Sequence, residues 1–366
     1  MTVREKFKAK ALRSRGGLPR FKAGGFWDET IERWHHEGLP QSTSPWEYFY
    51  LDQFMDNGPA GISYHTERII TPPYWPAFEE RTIEETDEYV VRVQDDGIIA
   101  KRLKHRTSMP QFIQYPVQGE KAWEEVKARL DPNEPERYYG LEEVAAQVRG
   151  RVTILRFGIC GAYGTLRNFF GPENLCYALY DNPALIRRIL KHWVSFSCGL
   201  ADHFCAAIDF DYVFLWEDMA YKTGPLVSPA HFRQIIFPCY REVIEHLRVR
   251  HGFRLFTVDS DGNNWDLLPL FVEAGVNLFT PLEINASMEP LLIRERFPEL
   301  AFLGGIDKRA LFHGRDAIRR EIERKVPSLL AEGGYFPSLD HHVPADVSFD
   351  SFCTYVELLR EVESSA

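Results

Sequence analysis

From Arg151 onward, short β-rich apolar runs alternate with stretches in which apolar residues recur at helical spacing. The runs are Val152 to Phe157, Tyr212 to Trp216, Leu255 to Val258, Val276 to Thr280, Ala301 to Gly304 and Tyr335 to Leu339. Two earlier runs, Leu18 to Ala23 and Tyr74 to Glu79, bring the expected strands to eight. Repeated βα units of this kind predict an α/β fold, a closed (β/α)8 TIM barrel. An open doubly wound sheet is the alternative, but no G-x-G-x-x-G fingerprint follows any of the runs.

The N-terminal third is less regular. Trp27, Ile31 and Trp34 share a helical face that predicts a helix ending before Pro40. The aromatic segment Trp46 to Phe54 reads as core. Thr86 to Gln94 alternates, Asp95-Asp96-Gly97 is a turn signal, and Ile98 to Leu103 resumes the strand pattern. A β-hairpin over approximately 86–106, inserted into a single barrel domain spanning 1–366, is therefore expected. Its charged faces are most simply solvated, and a lid over a pocket is the alternative. Trp123, Val126 and Leu130 then predict a helix within Gly119 to Leu130.

Composition narrows the classes. A hydrophobic content of 45% is that of a globular chain, and no apolar run is long enough to cross a bilayer. No apolar h-region follows the basic start, so a cytoplasmic protein is expected. A formal net charge of −10 argues against nucleic acid as a main partner. The six cysteines show no C-x-x-C pair or zinc-ribbon spacing and read as reduced small hydrophobes.

In a barrel the chemistry lies where strands end at their C-terminal side. Phe256-Thr257-Val258-Asp259-Ser260-Asp261-Gly262-Asn263-Asn264 runs from a buried strand into two carboxylates two residues apart, which project to one face. Read as turn chemistry alone, Asp261 would cap a helix starting near Trp265. The other ends supply Gly158 to Gly164, Trp216-Glu217-Asp218 with Tyr221 and Lys222, Glu283, Asp307-Lys308-Arg309, and Asp340-His341-His342. Acids and histidines converging on one mouth must share protons, pair with Lys or Arg, or bind a cation.

Several segments, in order and spacing, resemble the uroporphyrinogen decarboxylase superfamily, which also contains zinc-dependent methyltransferases of corrinoid systems. They are Gly158 to Pro183 with Phe170-Gly171-Pro172-Glu173-Asn174-Leu175, Trp216-Glu217-Asp218 leading to Gly224-Pro225-Leu226-Val227-Ser228-Pro229, Asp259-Ser260-Asp261-Gly262-Asn263, Leu303-Gly304-Gly305-Ile306-Asp307, and Gly333 through His341 to Asp350. The resemblance implies a (β/α)8 barrel, and a homodimer by analogy. True decarboxylases of the family open with an arginine-rich segment around Met-Arg-Gln-Ala-Gly-Arg. Here Leu18 to Gly25 offers only Arg20 and Lys22, so this chain does not look like a typical uroporphyrinogen decarboxylase.

The methyltransferase branch carries His-x-Cys-Gly on the fifth strand and a Cys after the eighth. By position Asp259, Asp261 and His341 stand there, a set able to bind zinc or a harder divalent ion. The expectation is a metal-assisted methyltransferase that passes a methyl group from a small O- or N-methyl donor to a corrinoid on a separate partner protein. Asp259, Asp261 and His341 are the expected metal ligands. Asp218, Glu217, Tyr221 and His342 are the candidate catalytic groups, and Arg156, Tyr163, Trp216, Lys222, Asn263 and Glu283 the candidate substrate contacts. Glu217 and Glu283 are also candidate further ligands. Two alternatives remain: a cofactor-free decarboxylase in which Asp218, Asp259 or Asp261 stabilises the intermediate while Arg156, Lys222 or Arg309 holds the acid, and a non-catalytic small-molecule-binding barrel.

Overall fold

The structure is a computed structural model that describes residues 1–14, 25–51, 74–105, 109–152 and 154–365. Four antiparallel strands, β1 (Arg81–Glu85), β2 (Tyr89–Val93), β3 (Ile99–Leu103) and β4 (Gln111–Gln114), form a sheet of their own in that order. The expected hairpin is its central pair, with Val93 opposite Ile99 and Tyr89 opposite Leu103. β1 and β4 widen it on either side. Their burial shows no alternation, since every residue of both strands is exposed, so the period-2 signal was weak there.

The second sheet is parallel: β5 (Arg156–Cys160), β6 (Tyr212–Trp216), β9 (Phe256–Asp259), β10 (Leu278–Leu282), β11 (Ala301–Ile306) and β12 (Tyr335–Leu339), each paired with the next. A small antiparallel hairpin, β7 (Ala220–Tyr221) with β8 (Gly224–Pro225), follows β6. Helices connect the parallel strands, chiefly Ala162–Phe170, Pro183–Ala207, Phe237–His251, Leu268–Ala274, Pro290–Arg296 and Arg315–Glu332. Past β12 the ring continues, because Phe26 makes a parallel bridge to Val343 and the Val343 amide donates to the Gly25 carbonyl (2.9 Å). This is an α/β architecture of the TIM-barrel type, as expected from the strand pattern.

The run Val152 to Phe157 marks a strand that starts only at Arg156 and extends to Cys160, so Gly158 to Cys160 lie in the strand and not in the loop after it. Tyr74 to Glu79 is not a strand: the Trp75 amide donates to the Arg129 carbonyl (2.8 Å) and the Phe78 amide to the Asp95 carbonyl (2.9 Å). That stretch carries Pro76, whose ring nitrogen cannot join a ladder. Leu18 to Ala23, with Arg20 and Lys22, lies outside the described residues.

Alternation within the parallel strands sorts side chains into two cores. Val213, Leu215, Phe256, Val258, Phe279 and Phe302 face the helices, whereas Tyr212, Phe214, Leu255, Leu278, Leu303 and Phe336 fill the barrel interior. The interior is closed from below by the N-terminal helix Val3–Ala11. Phe7 is wholly buried between Tyr212 (ring centroids 5.1 Å) and Phe336 (5.4 Å). The helix is also pinned by charge: Arg4 and Lys8 reach the buried Asp211 carboxylate, which accepts further bonds from Arg151 (3.1 Å) and the Leu155 amide (2.9 Å).

No helix among the described residues is long and apolar enough to cross a membrane, including the 25-residue Pro183–Ala207. All six cysteines are free, with Cys160 buried and the other five partly exposed.

Candidate active site

The strand ends assemble at the face opposite the N-terminal helix, and alternation decides which side chains take part. Along β9, Leu255 and Thr257 point inward, so Asp259 and then Asp261 follow on the same face. The chain turns at Gly262, whose φ is +80° and where a Cβ would stand 2.6 Å from the Ala220 carbonyl oxygen. Asn264 locks this turn from beneath. It is fully buried, accepts from the Ser260 hydroxyl (3.0 Å) and donates to the carbonyls of Ser260 (2.9 Å), Asp261 (3.0 Å) and Gly262 (3.2 Å).

Asp261 caps no helix, since the next one starts only at Leu268 without a side-chain cap, and the turn before it is closed by Asn263, whose side-chain oxygen accepts from the Trp265 amide (3.1 Å) while its backbone amide donates to the Tyr221 carbonyl (2.9 Å). Asn263, expected as a substrate contact, thus has its oxygen committed to the turn. Asp261 is left to face His341, with 3.3 Å between its Oδ2 and the imidazole Nε2. Glu283, just past β10, completes the group, and ligand atoms of Asp261, Glu283 and His341 all lie within 4.8 Å of one another. Glu283 is held there by the Gly262 amide (2.8 Å).

The metal set expected from sequence was Asp259, Asp261 and His341, and the gathered group has Glu283 in the place of Asp259. Asp259 sits one inward step deeper. Desolvation, with the Asp261 and Asp218 carboxylates beside it, pushes its carboxyl well above the usual range, and Arg156 and His341 only partly oppose this. The hydrogen bond to Asp261 raises His341, whereas burial lowers His342. His342 is wedged against Gly25 and packs edge-on to Trp27 at 5.5 Å. Asp340, buried at the end of β12, is raised to about 6 by desolvation although it accepts from the Ile284 (3.2 Å) and Lys308 (3.3 Å) amides.

Other expected site residues separate into three places. Trp216 and Asp218 face the mouth. Asp218 has a left-handed backbone (φ +51°) and is gripped by Arg167, which donates to its carboxylate at 3.1 Å and lies 4.6 Å over the Trp216 ring. Arg156 lies inside the barrel, buried, with its guanidinium 4.3 Å over Phe214. Tyr221 and Lys222 are exposed on the β7–β8 hairpin at the rim.

Glu217 and Tyr163 correct the expectation. Glu217 follows Val213 and Leu215 on the helix-facing side of β6 and is wholly buried. It accepts from the Tyr240 hydroxyl and the Gly164 amide (2.6 Å), at the start of helix Ala162–Phe170, and burial raises it to about 7. Tyr163 is buried in the same layer, its hydroxyl without a hydrogen-bond partner among the described residues. Both support the wall of the barrel and neither reaches the mouth.

Two cations went unselected by sequence reasoning. Arg167 sits within a helix, where its five-residue distance from Ala162 gave no hint that it reaches back over Trp216. Lys308 was visible at a strand end, and its charge bears on Asp340, His341 and His342 together. Below the carboxylates, Thr257 and Ser338 point inward two residues before Asp259 and Asp340. Their buried hydroxyls have no protein partner among the described residues, the mark of a place that water or a ligand satisfies.

The model of the uroporphyrinogen decarboxylase (URO-D) family matches residues 103–362. A methyltransferase from Methanosarcina mazei has a similar structure, with a TM-score of 0.60 at 12% identity, over 100% of this chain and 99% of that one. At that identity the likeness is one of fold. No curated protein matches the chain by sequence. The matched segment takes in all six parallel strands and every residue of the Asp261, Glu283 and His341 group, and the chain belongs to the uroporphyrinogen decarboxylase family.

Proposed function

We propose that the protein is a metal-assisted methyltransferase that passes a methyl group from a small O- or N-methyl donor to a corrinoid carried by a partner protein. The observation that carries this reading is the convergence of Asp261, Glu283 and His341 from the ends of three different strands. Two carboxylates and one imidazole suit zinc, and equally manganese or ferrous iron. Such an ion, when bound, supplies Lewis-acid polarisation of the donor heteroatom.

The remaining tasks belong to the chain. Asp259 holds a proton more tightly than an ordinary aspartate because of its burial and its carboxylate neighbours. It is therefore suited to give that proton to the leaving oxygen or nitrogen as the methyl departs. Arg167 keeps Asp218 in place and braces the Trp216 ring as an apolar wall. Lys308 offsets the negative charge around Asp340, and the Thr257 and Ser338 hydroxyls offer polar contacts at the floor.

One feature favours a second reading, decarboxylation of a small carboxylic acid. Arg156 faces Asp259 inside the barrel, so an acid and a cation stand together as that chemistry needs. The experiment is elemental analysis of wild type and Asp261→Ala purified without added metal, followed by incubation of wild type with methyl donors and a reduced corrinoid. Methyl transfer is expected, with one metal equivalent lost in the variant. Equal metal in both proteins, together with carbon dioxide release from carboxylic acids, moves the assignment to the decarboxylase.

A further inference from the structure

We infer that Asp202, His246 and His251 form a second divalent-metal site, on the outer helices at the end of the barrel opposite the mouth. Asp202 lies five residues before the end of helix Pro183–Ala207, and His251 is the last residue of helix Phe237–His251. Each helix ends just before a parallel strand begins, which places the cluster at the strands' N-terminal side. The site shares no residue with Asp261, Glu283 and His341, and it does not rest on the reading of the mouth.

The geometry is that of ligands drawn to one point. The Nε2 atoms of His246 and His251 approach the same oxygen of Asp202, Oδ1, at 2.9 and 2.7 Å. All three ligand atoms lie within 4.8 Å of one another. A tetrahedral ion with bonds of about 2.0–2.1 Å separates its ligand atoms by roughly 3.3 Å, so these contacts need open by only about half an ångström. Two imidazoles and a carboxylate select a borderline cation such as zinc, copper(II) or nickel(II) over magnesium or calcium. On binding, each neutral ring moves its proton from Nε2 to Nδ1 and presents the Nε2 lone pair.

Two surrounding features fit this use. Arg250 also reaches Oδ1, at 2.9 Å, but its side chain is 64% exposed and can swing into water as a metal enters. A polar cleft of about 430 Å³ opens beside the cluster, lined by Cys205, Asp209, Arg250 and His251, and gives a hydrated ion a way in. A bound ion would join the C-terminal ends of two adjacent helices in place of the hydrogen bonds that His246 and His251 now make to Asp202.

The test uses the full chain carrying Asp261→Ala, so that the mouth group is impaired throughout. Calorimetric titration with zinc is expected to find one equivalent bound, with a rise in Tm. Adding His246→Gln should weaken that binding by more than about tenfold, since even indirect supports of a metal site cost 10–100-fold. Adding Arg250→Ala instead, at an exposed position that leaves the fold intact, should tighten it. Zinc binding that is absent from the Asp261→Ala chain, or indifferent to both further changes, overturns the second site. The mouth is judged separately, by the difference between wild type and Asp261→Ala.

Discussion

Depth within the barrel, more than residue type, separates the acids of this protein. Asp259 and Asp261 share a face, as a two-residue period requires, yet only Asp261 stands beside Glu283 and His341. Asp259→Asn should therefore keep the metal content of wild type while lowering kcat by roughly 10²–10⁴-fold, the worth of a positioned proton donor. Parallel elemental analysis and turnover measurements check this, and metal lost along with activity would make Asp259 a ligand after all. Glu217 makes a different prediction. Its carboxyl is raised from 4.5 to about 7 by burial, so the folded state holds a proton that the unfolded chain releases between those values. Its contribution is full below pH 4.5 and declines as pH rises towards 7, by on the order of 3 kcal/mol. Urea unfolding at pH 5 and pH 7.5 should show that decline in wild type and a flatter response in Glu217→Gln. The face of Glu217 was legible from Val213 and Leu215, four and two residues before it. The depth of Asp259 was not, because strand stagger around the ring leaves no trace in one strand's own pattern.

At the level of elements, the site depends on a turn as much as on its ligands. Gly262→Ala would drive a Cβ into the backbone of the β7–β8 hairpin from a left-handed conformation. A cost of about 2–4 kcal/mol is expected, measured by denaturant unfolding. Asn264→Ala removes the three bonds that tie Ser260, Asp261 and Gly262 together. It should weaken metal binding at the mouth by about tenfold or more, as loss of outer supports does, and a calorimetric titration reads that directly. The same turn shows what the sequence could convey. Gly262 and the amides beside it announced a turn, but which amide closes it and which braces it depends on Tyr221 and Met288, which approach from elsewhere in the chain. The six parallel strands were legible as elements because apolar runs buried on both faces mark them, but their bounds were not, as the first runs over Arg156–Cys160 where the pattern placed it at Val152 to Phe157. Tyr74 to Glu79 misled because its aromatic residues suit an irregular edge as well as a strand.

For the whole molecule, the decisive contact is the N-terminal helix seated under the barrel. Phe7→Ala should cost about 3–5 kcal/mol, because the emptied space between Tyr212 and Phe336 is walled by strands that cannot collapse into it. Thermal and urea unfolding test the value, and a cost below about 1 kcal/mol would mean the helix is only loosely seated. Asp211 adds a pH dependence of opposite sign to that of Glu217. Burial pushes it up, but Lys8, Arg4, the Leu155 amide and Arg151 outweigh this and hold it below 3.8. The stability it contributes is present above that value and is lost as the pH falls through its folded pKa. No hydrophobic pattern in residues 3–11 singled out this closure, since four of its nine residues are Lys or Arg. The partners of Phe7 and Arg4 lie more than 200 residues away. That separation bears on the order of synthesis. The helix leaves the ribosome well before the strands it packs against, and its seat is incomplete until Phe336 follows more than 300 residues later. Until then this segment must wait with its aromatic side chain in water, so the barrel is closed at its base by residues that are made long before they can dock.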